Sequence, residues 1–177
     1  SVLYGNAATV EHGGGMYNNS QTTVDGVVFY DNTAADRGGG IYSLHDLVVR
    51  NSVFLDNSAV EGGALYPGGS NLVAYYNAFH GNTPDKGVTV AEYDVTAPPQ
   101  LADPSGGDFH LQVTSPLINA GPESPALDHD FEGDVRPQGA RGDIGADERI
   151  VYPDVAISAE DPVVRTNVDD LKGHSFT

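Results

Sequence analysis

The sequence contains no cysteine, few basic residues and no apolar run approaching the length of a membrane span. Without cysteine, neither disulfides nor thiolate chemistry is available, so an exported chain of this kind must be stabilised by packing alone. Basic residues number 8 against 25 acidic ones, and Lys86 and Lys172 are the lysines; the net charge of −17 repels a phosphate backbone and excludes nucleic acid as an expected partner. A spanning helix needs about 18 or more consecutive apolar residues, so no membrane insertion by this chain is expected. The chain opens at Ser1 with no initiator methionine and no charged and apolar leader, as expected of a mature or excised piece of a longer secreted precursor. No window carries the apolar spacing of a helix long enough to cross back over a sheet.

What the chain does have is a phrase written more than once. Phe29-Tyr30-Asp31-Asn32-Thr33-Ala34 followed by Gly38-Gly39-Gly40-Ile41-Tyr42 returns as Phe54-Leu55-Asp56-Asn57-Ser58-Ala59 followed by Gly62-Gly63-Ala64-Leu65-Tyr66. It extends upstream as Gly13-Gly14-Gly15-Met16-Tyr17 and downstream as Phe79-His80-Gly81-Asn82. Phe29, Phe54 and Phe79 are 25 residues apart, as are Asn32, Asn57 and Asn82. A fixed period of this size marks a repeat architecture. Short apolar runs such as Val27-Val28-Phe29 and Leu47-Val48-Val49, broken by Gly and Asn, predict brief strands.

These features predict an all-β right-handed parallel β-helix of about four coils, with successive coils about 4.8 Å apart. In that arrangement Phe29, Phe54 and Phe79 form an internal aromatic column. Asn32, Asn57 and Asn82 are expected at a sharp bend, in the left-handed conformation, with each amide bonded to the Asn of the next coil. The glycine runs are expected where a side chain would collide with a neighbouring coil, and Tyr17, Tyr42 and Tyr66 form a further column by position.

The chain divides into three parts. Residues 1–96 carry the coils, starting in mid-repeat, since Tyr4-Gly5-Asn6-Ala7-Ala8 aligns with the Phe-x-x-Asn-x-Ala phrase; a first coil of this kind presents unpaired backbone. Residues 97–149 lose the period and gain proline, as expected of an irregular segment closing the C-terminal side of a solenoid. In residues 150–177, alternation around Val155 and Ile157 predicts an extended tail, a strand that a neighbouring subunit can take up.

The paired Phe-x-x-Asn and Gly-Gly-x-Ile/Leu phrases resemble those of the polymorphic outer-membrane proteins and of secreted bacterial and archaeal right-handed β-helix proteins. Four further phrases begin at Gly107 (Gly-Asp-Phe-x-Leu), Ser115 (Ser-Pro-x-Ile-x-Ala-Gly), Asp130 (Asp-x-x-Gly-x-x-Arg-Pro) and Asp143 (Asp-Ile-Gly-Ala-x-Glu). They resemble the choice-of-anchor segment that many such proteins carry before a surface-anchoring region. The resemblance covers roughly residues 1–149. It implies the pectin-lyase-like solenoid fold and an extracellular or cell-surface location, while that fold serves adhesins, filament components and polysaccharide lyases alike.

Two kinds of chemistry are written in side chains. Asp128, Asp130, Glu132 and Asp134, with Gly133, carry the alternating-oxygen spacing of the first half of a calcium loop, so Ca2+ is the candidate cofactor; the competing reading closes the same loop by pairing its carboxylates with Arg136 or Arg141. A polysaccharide-cleaving site would need a basic residue beside a calcium or arginine, for which Arg37 and Arg50 near Asp31, Asp36 and Asp56 are the candidates. Asp31 and Asp56, however, hold the same place in successive phrases, the mark of a repeated surface turn. The six histidines share no repeat position, so no zinc site is expected from them.

The function expected is structural rather than enzymatic: a self-associating homo-oligomer or filament subunit whose naked first coil, around Tyr4, receives the tail strand of a neighbour through Val151, Val155, Ile157 and Val163. A carbohydrate-binding or polysaccharide-cleaving domain using calcium, and a passive spacer within a larger adhesin, are the alternatives.

Overall fold

The computed structural model describes residues 1–69, 71–84, 91, 93–123 and 127–150. Among them there is no α-helix, and the chain winds as short strands. The first turn holds β1 (Val2–Tyr4), β2 (Ala7–Ala8), β3 (Met16–Asn18) and β4 (Thr22–Asp25). The second holds β5 (Val28–Tyr30), β6 (Thr33–Ala34), β7 (Ile41–Ser43) and β8 (Leu47–Arg50). The third holds β9 (Val53–Leu55), β10 (Leu65–Pro67) and β11 (Leu72–Tyr75), and β12 (Ala78–His80) starts a further turn. The antiparallel pair β13 (Leu101–Asp103) and β14 (Asp108–Leu111) follows, joined by a 3₁₀ turn at Pro104–Gly106.

Equivalent strands of successive turns pair in parallel, in the order β1-β5-β9-β12 on one face, β3-β7-β10 on a second and β4-β8-β11 on a third. The register is that of the repeat, with Phe29 opposite Phe54 and Phe54 opposite Phe79. The fold is thus a parallel β-solenoid of about three turns rather than four; after Thr83, which bridges Ser58, the repeated phrase has run out.

Strand alternation divides the apolar residues between two cores. Phe29, Ile41, Leu47, Val49, Phe54, Leu65 and Phe79 point into the solenoid. The Phe29 and Phe54 rings stack at 4.8 Å with planes 4° apart, and Phe54 and Phe79 at 5.2 Å. The asparagine ladder runs beside them: Asn32 Nδ2 donates to Asn57 Oδ1 and Asn57 Nδ2 to Asn82 Oδ1, each at 2.9 Å, and Asn6 adds a rung by donating to Asn32 Oδ1. The glycine runs stand where strands of adjacent turns nearly touch, since a Cβ on Gly14 would lie 2.5 Å from the Gly39 oxygen.

The bend beside the ladder is made differently from expectation. The left-handed residue is the one before each asparagine, namely Gly5, Asp31, Asp56 and Gly81, with φ between 51° and 67°. Turning the chain one residue earlier sets Asn32 and Asn57 inward, where both are fully buried and each amide can reach two turns at once. A second bend uses the same device and was not read from the sequence: Gly26, Asn51 and Tyr76 take positive φ, and the residues after them stack inward. There Ser52 Oγ accepts from Val27 N, and Asn77 Oδ1 accepts from Ser52 N.

The second core lies outside the solenoid. Val28, Val53, Leu55 and Ala78 point outward from the β1-β5-β9-β12 sheet and are covered by Leu101, Phe109, Leu111, Leu117, Ile144 and Ala146. The segment expected to close the C-terminal end is therefore laid along one flank, reaching Val2 and Tyr4 of the first turn as well as Val95 beyond the last. The physical reason is the outward-facing valines, which make that sheet apolar on both sides and leave a face that only more chain can bury.

Candidate functional site

The flank segment has few strands, so buried polar groups hold its loops. Arg136, fully buried, donates to the Asp143 carbonyl at 3.0 Å and to the Gly145 carbonyl at 2.9 Å, and lies 3.6 Å from the Glu148 carboxylate. Glu148 accepts from the backbone of Gln138 and of Asp143, both at 2.8 Å. Asp143 accepts from Asn119 N and Arg149 N, and burial pushes its carboxyl up to about 6 against those hydrogen bonds.

On the outer side of this network, three stretches meet at His110. It stands on β14, and its Nδ1 lies 2.6 Å from Asp108 Oδ1 on the same strand, while Nε2 lies 2.7 Å from Glu132 Oε2 on the loop after Asp130. Hydrogen bonds to Glu132 and then Asp108 hold the imidazole pKa up at about 9. Asp147 approaches from the end of the segment. It is buried, its carboxyl pKa raised by desolvation, and its Oδ2 accepts from Leu111 N at 2.8 Å. One donor atom each from His110, Glu132 and Asp147 lies within 4.8 Å of the others. A cleft of about 220 Å³ opens beside them, lined also by Asp134, Glu148 and Arg149.

The acidic run read as a half calcium loop is arranged otherwise. Asp130 Oδ1 accepts from the backbone of Glu132, Gly133 and Asp134, and its Oδ2 from Glu148 N, so this carboxylate closes its own turn. Glu132 turns to His110, and the backbone carbonyls of Asp128 and Asp134 accept from Arg136 N and Asp130 N. Of the four residues read as ligands, Glu132 is the one that enters the His110 cluster. The arginine alternative is also redirected: Arg136 takes Glu148 and two carbonyls, while Arg141 donates to the Tyr76 hydroxyl at 2.9 Å and lies over its ring.

Elsewhere, the acid–base candidates in the coils form rungs between turns, with Arg37 on Glu61 at 2.8 Å and Arg50 on Asp25 at 2.7 Å. Asp31 and Asp56 are exposed residues of the repeated left-handed turn. Tyr42 stacks with Tyr66 at 5.8 Å, nearly parallel, and tilts against Tyr17 at 5.3 Å. Tyr4, half exposed on β1, places its ring 5.2 Å from Phe109 of the flank segment. Val151, Val155, Ile157 and Val163 lie outside the described residues.

The His110 cluster was missed because His110, Glu132 and Asp147 fill unspecified places in three separate phrases, those opening at Gly107, Asp130 and Asp143. Only the lateral course of the segment brings them together. A signal was present in Asp108-x-His110, which on a strand puts both side chains on one face.

Residues 26–44, from Gly26 through β5, β6 and β7 to Leu44, match the Chlamydia polymorphic membrane protein repeat. Neither curated protein sequences nor solved structures give a match to the chain. A matched repeat set in stacked parallel coils makes this chain a β-solenoid repeat protein similar to the polymorphic membrane proteins, a likeness that fits a protein of the cell surface.

Proposed function

We propose that the chain is an extracellular structural module, a cell-surface or filament subunit that associates with further copies of itself by strand addition. The observation that carries this reading is the match to a polymorphic membrane protein repeat in a stack of parallel turns, whose ladder bonds each pass from one turn to the next. Asn32, Asn57 and Asn82 each receive two hydrogen bonds at Oδ1 from the turn before, one from an asparagine backbone N–H and one from its amide. A ladder of this kind continues into any further strand that adds at its end. Residues 151–177, whose sequence alternates around Val155 and Ile157, lie outside the described residues and are the proposed donor.

The experiment is sedimentation velocity with electron microscopy on the chain and on a form lacking residues 151–177. The chain is expected to form assemblies, and the shortened form to be a folded monomer. Assemblies that persist unchanged after the deletion overturn strand addition by the tail, and a chain that stays monomeric at every concentration overturns self-association altogether.

A further inference from the structure

We propose that His110, Glu132 and Asp147 bind a divalent transition-metal ion of the zinc class, clasping three stretches of the flank segment together. The donor set is one imidazole nitrogen and two carboxylates, drawn from β14, from the loop after Asp130 and from the stretch before Arg149, and their donor atoms already lie within 4.8 Å of one another. A zinc-class ion accepts this mixed set with an open position beside it, whereas calcium wants six to eight oxygens, which the cluster does not offer.

The supporting groups are those a metal site needs. Asp108, 2.6 Å from Nδ1, fixes the ring so that Nε2 is the nitrogen facing Glu132 and Asp147, the carboxylate–histidine arrangement that orients metal-bound imidazoles. Asp147 is a buried carboxylate anchored through Oδ2 to Leu111 N, and among the described residues its Oδ1 has no hydrogen-bond partner, although the residue lines the cleft. With one oxygen anchored and the other free of protein donors, this carboxylate presents a fixed ligand to the cleft. The His110 and Glu132 side chains are each about half exposed, so both can adjust to coordination distance while Asp147 stays fixed. The cleft supplies the open position, and its wall carries Asp134 and Arg149 as well.

The test is calorimetric titration of the full chain with Zn2+, paired with thermal unfolding with and without the ion. Zinc is expected to bind one site per chain and to raise Tm by about 5 °C at about a hundred times the dissociation constant. H110Q and E132Q, at exposed positions, are expected to fold normally in metal-free buffer and to bind at least about tenfold more weakly. D108N, acting through the ring, is expected to weaken binding by about tenfold or more while leaving metal-free Tm unchanged. H45Q, at an exposed histidine elsewhere, is expected to bind as the parent does. Three results overturn the proposal: no zinc-dependent rise in Tm, zinc binding of undiminished affinity in H110Q, or a calcium-induced rise equal to that of zinc that survives in H110Q.

Discussion

The Phe54 ring lies 4.8 Å from that of Phe29, with planes 4° apart, although 25 positions of sequence separate them. Phe79 stacks on the opposite side, so Phe54 is the middle member of a dry column and has aromatic contacts on both faces. Phe54→Ala is expected to cost about 3–5 kcal/mol, through lost transfer energy and a cavity that stiff neighbouring turns cannot collapse. Phe54→Leu is expected to cost less. Urea denaturation midpoints of the two variants measure the difference; equal and small losses would mean that the column contributes little.

Asn57 is fully buried and works at four points: Oδ1 accepts from Asn32 N and Nδ2, and Nδ2 donates to Asn82 Oδ1 and to the Phe29 carbonyl. Asn57→Ala leaves buried backbone groups without partners and is expected to cost about 2–4 kcal/mol. Asn6→Ala removes an exposed rung but leaves Asn32 Oδ1 the Asn6 backbone N–H as a donor, and is expected to cost less than about 1 kcal/mol. Chemical denaturation of both variants checks the ratio, and comparable losses would contradict the ladder's dependence on burial.

Arg136 neutralises Glu148 where neither side chain meets solvent. Arg136→Met keeps the length and removes the charge, leaving the Glu148 carboxylate buried beside two backbone donors and no cation. The expected loss is about 3 kcal/mol or more. Arg136→Met/Glu148→Gln is expected to recover part of it, and scanning calorimetry of the single and double variants tests the coupling.

Asp143 makes stability depend on pH in a definite direction. Burial raises its carboxyl to about 6 from an ordinary 3.8, so between those values the folded chain holds a proton that the unfolded chain has released. Protons bound more tightly in the native state make stability fall as pH rises. The contribution is complete below about pH 4 and lost by about pH 6, a span worth roughly 3 kcal/mol. Thermal melts of the chain and of Asp143→Asn from pH 4 to pH 7 isolate it: the parent is expected to lose more stability across the window than the variant does. Parallel curves would show that Asp143 titrates in its ordinary range.

The coils were legible because a solenoid converts sequence distance directly into spatial distance. Phe29 with Phe54, and Asn32 with Asn57, need only the period to be brought together. The second ladder was not visible, because Val27, Ser52 and Asn77 share a position and an inward direction without sharing a residue type. The bend was read one residue late because asparagine tolerates the left-handed conformation as readily as Asp31 does, and only the inward demand on the amide decides between them. Beyond residue 96 no period exists. There the phrases ending at Glu148 mark ordered loops without saying where those loops lie, so neither the lateral course of the segment nor the meeting of His110 with Asp147 follows from their spacing.

That lateral course changes how the molecule can come apart. A bare stack of coils is a row of nearest-neighbour contacts and can fray from either end, one rung at a time. Here Val28, Val53 and Ala78, on successive turns, are all held under one strip of chain that also reaches Val2 and Val95. The strip works as a splint: no turn can peel away until it lifts, and once it lifts every rung loses cover together, so a stack that would otherwise unravel by degrees resists tension as a single unit.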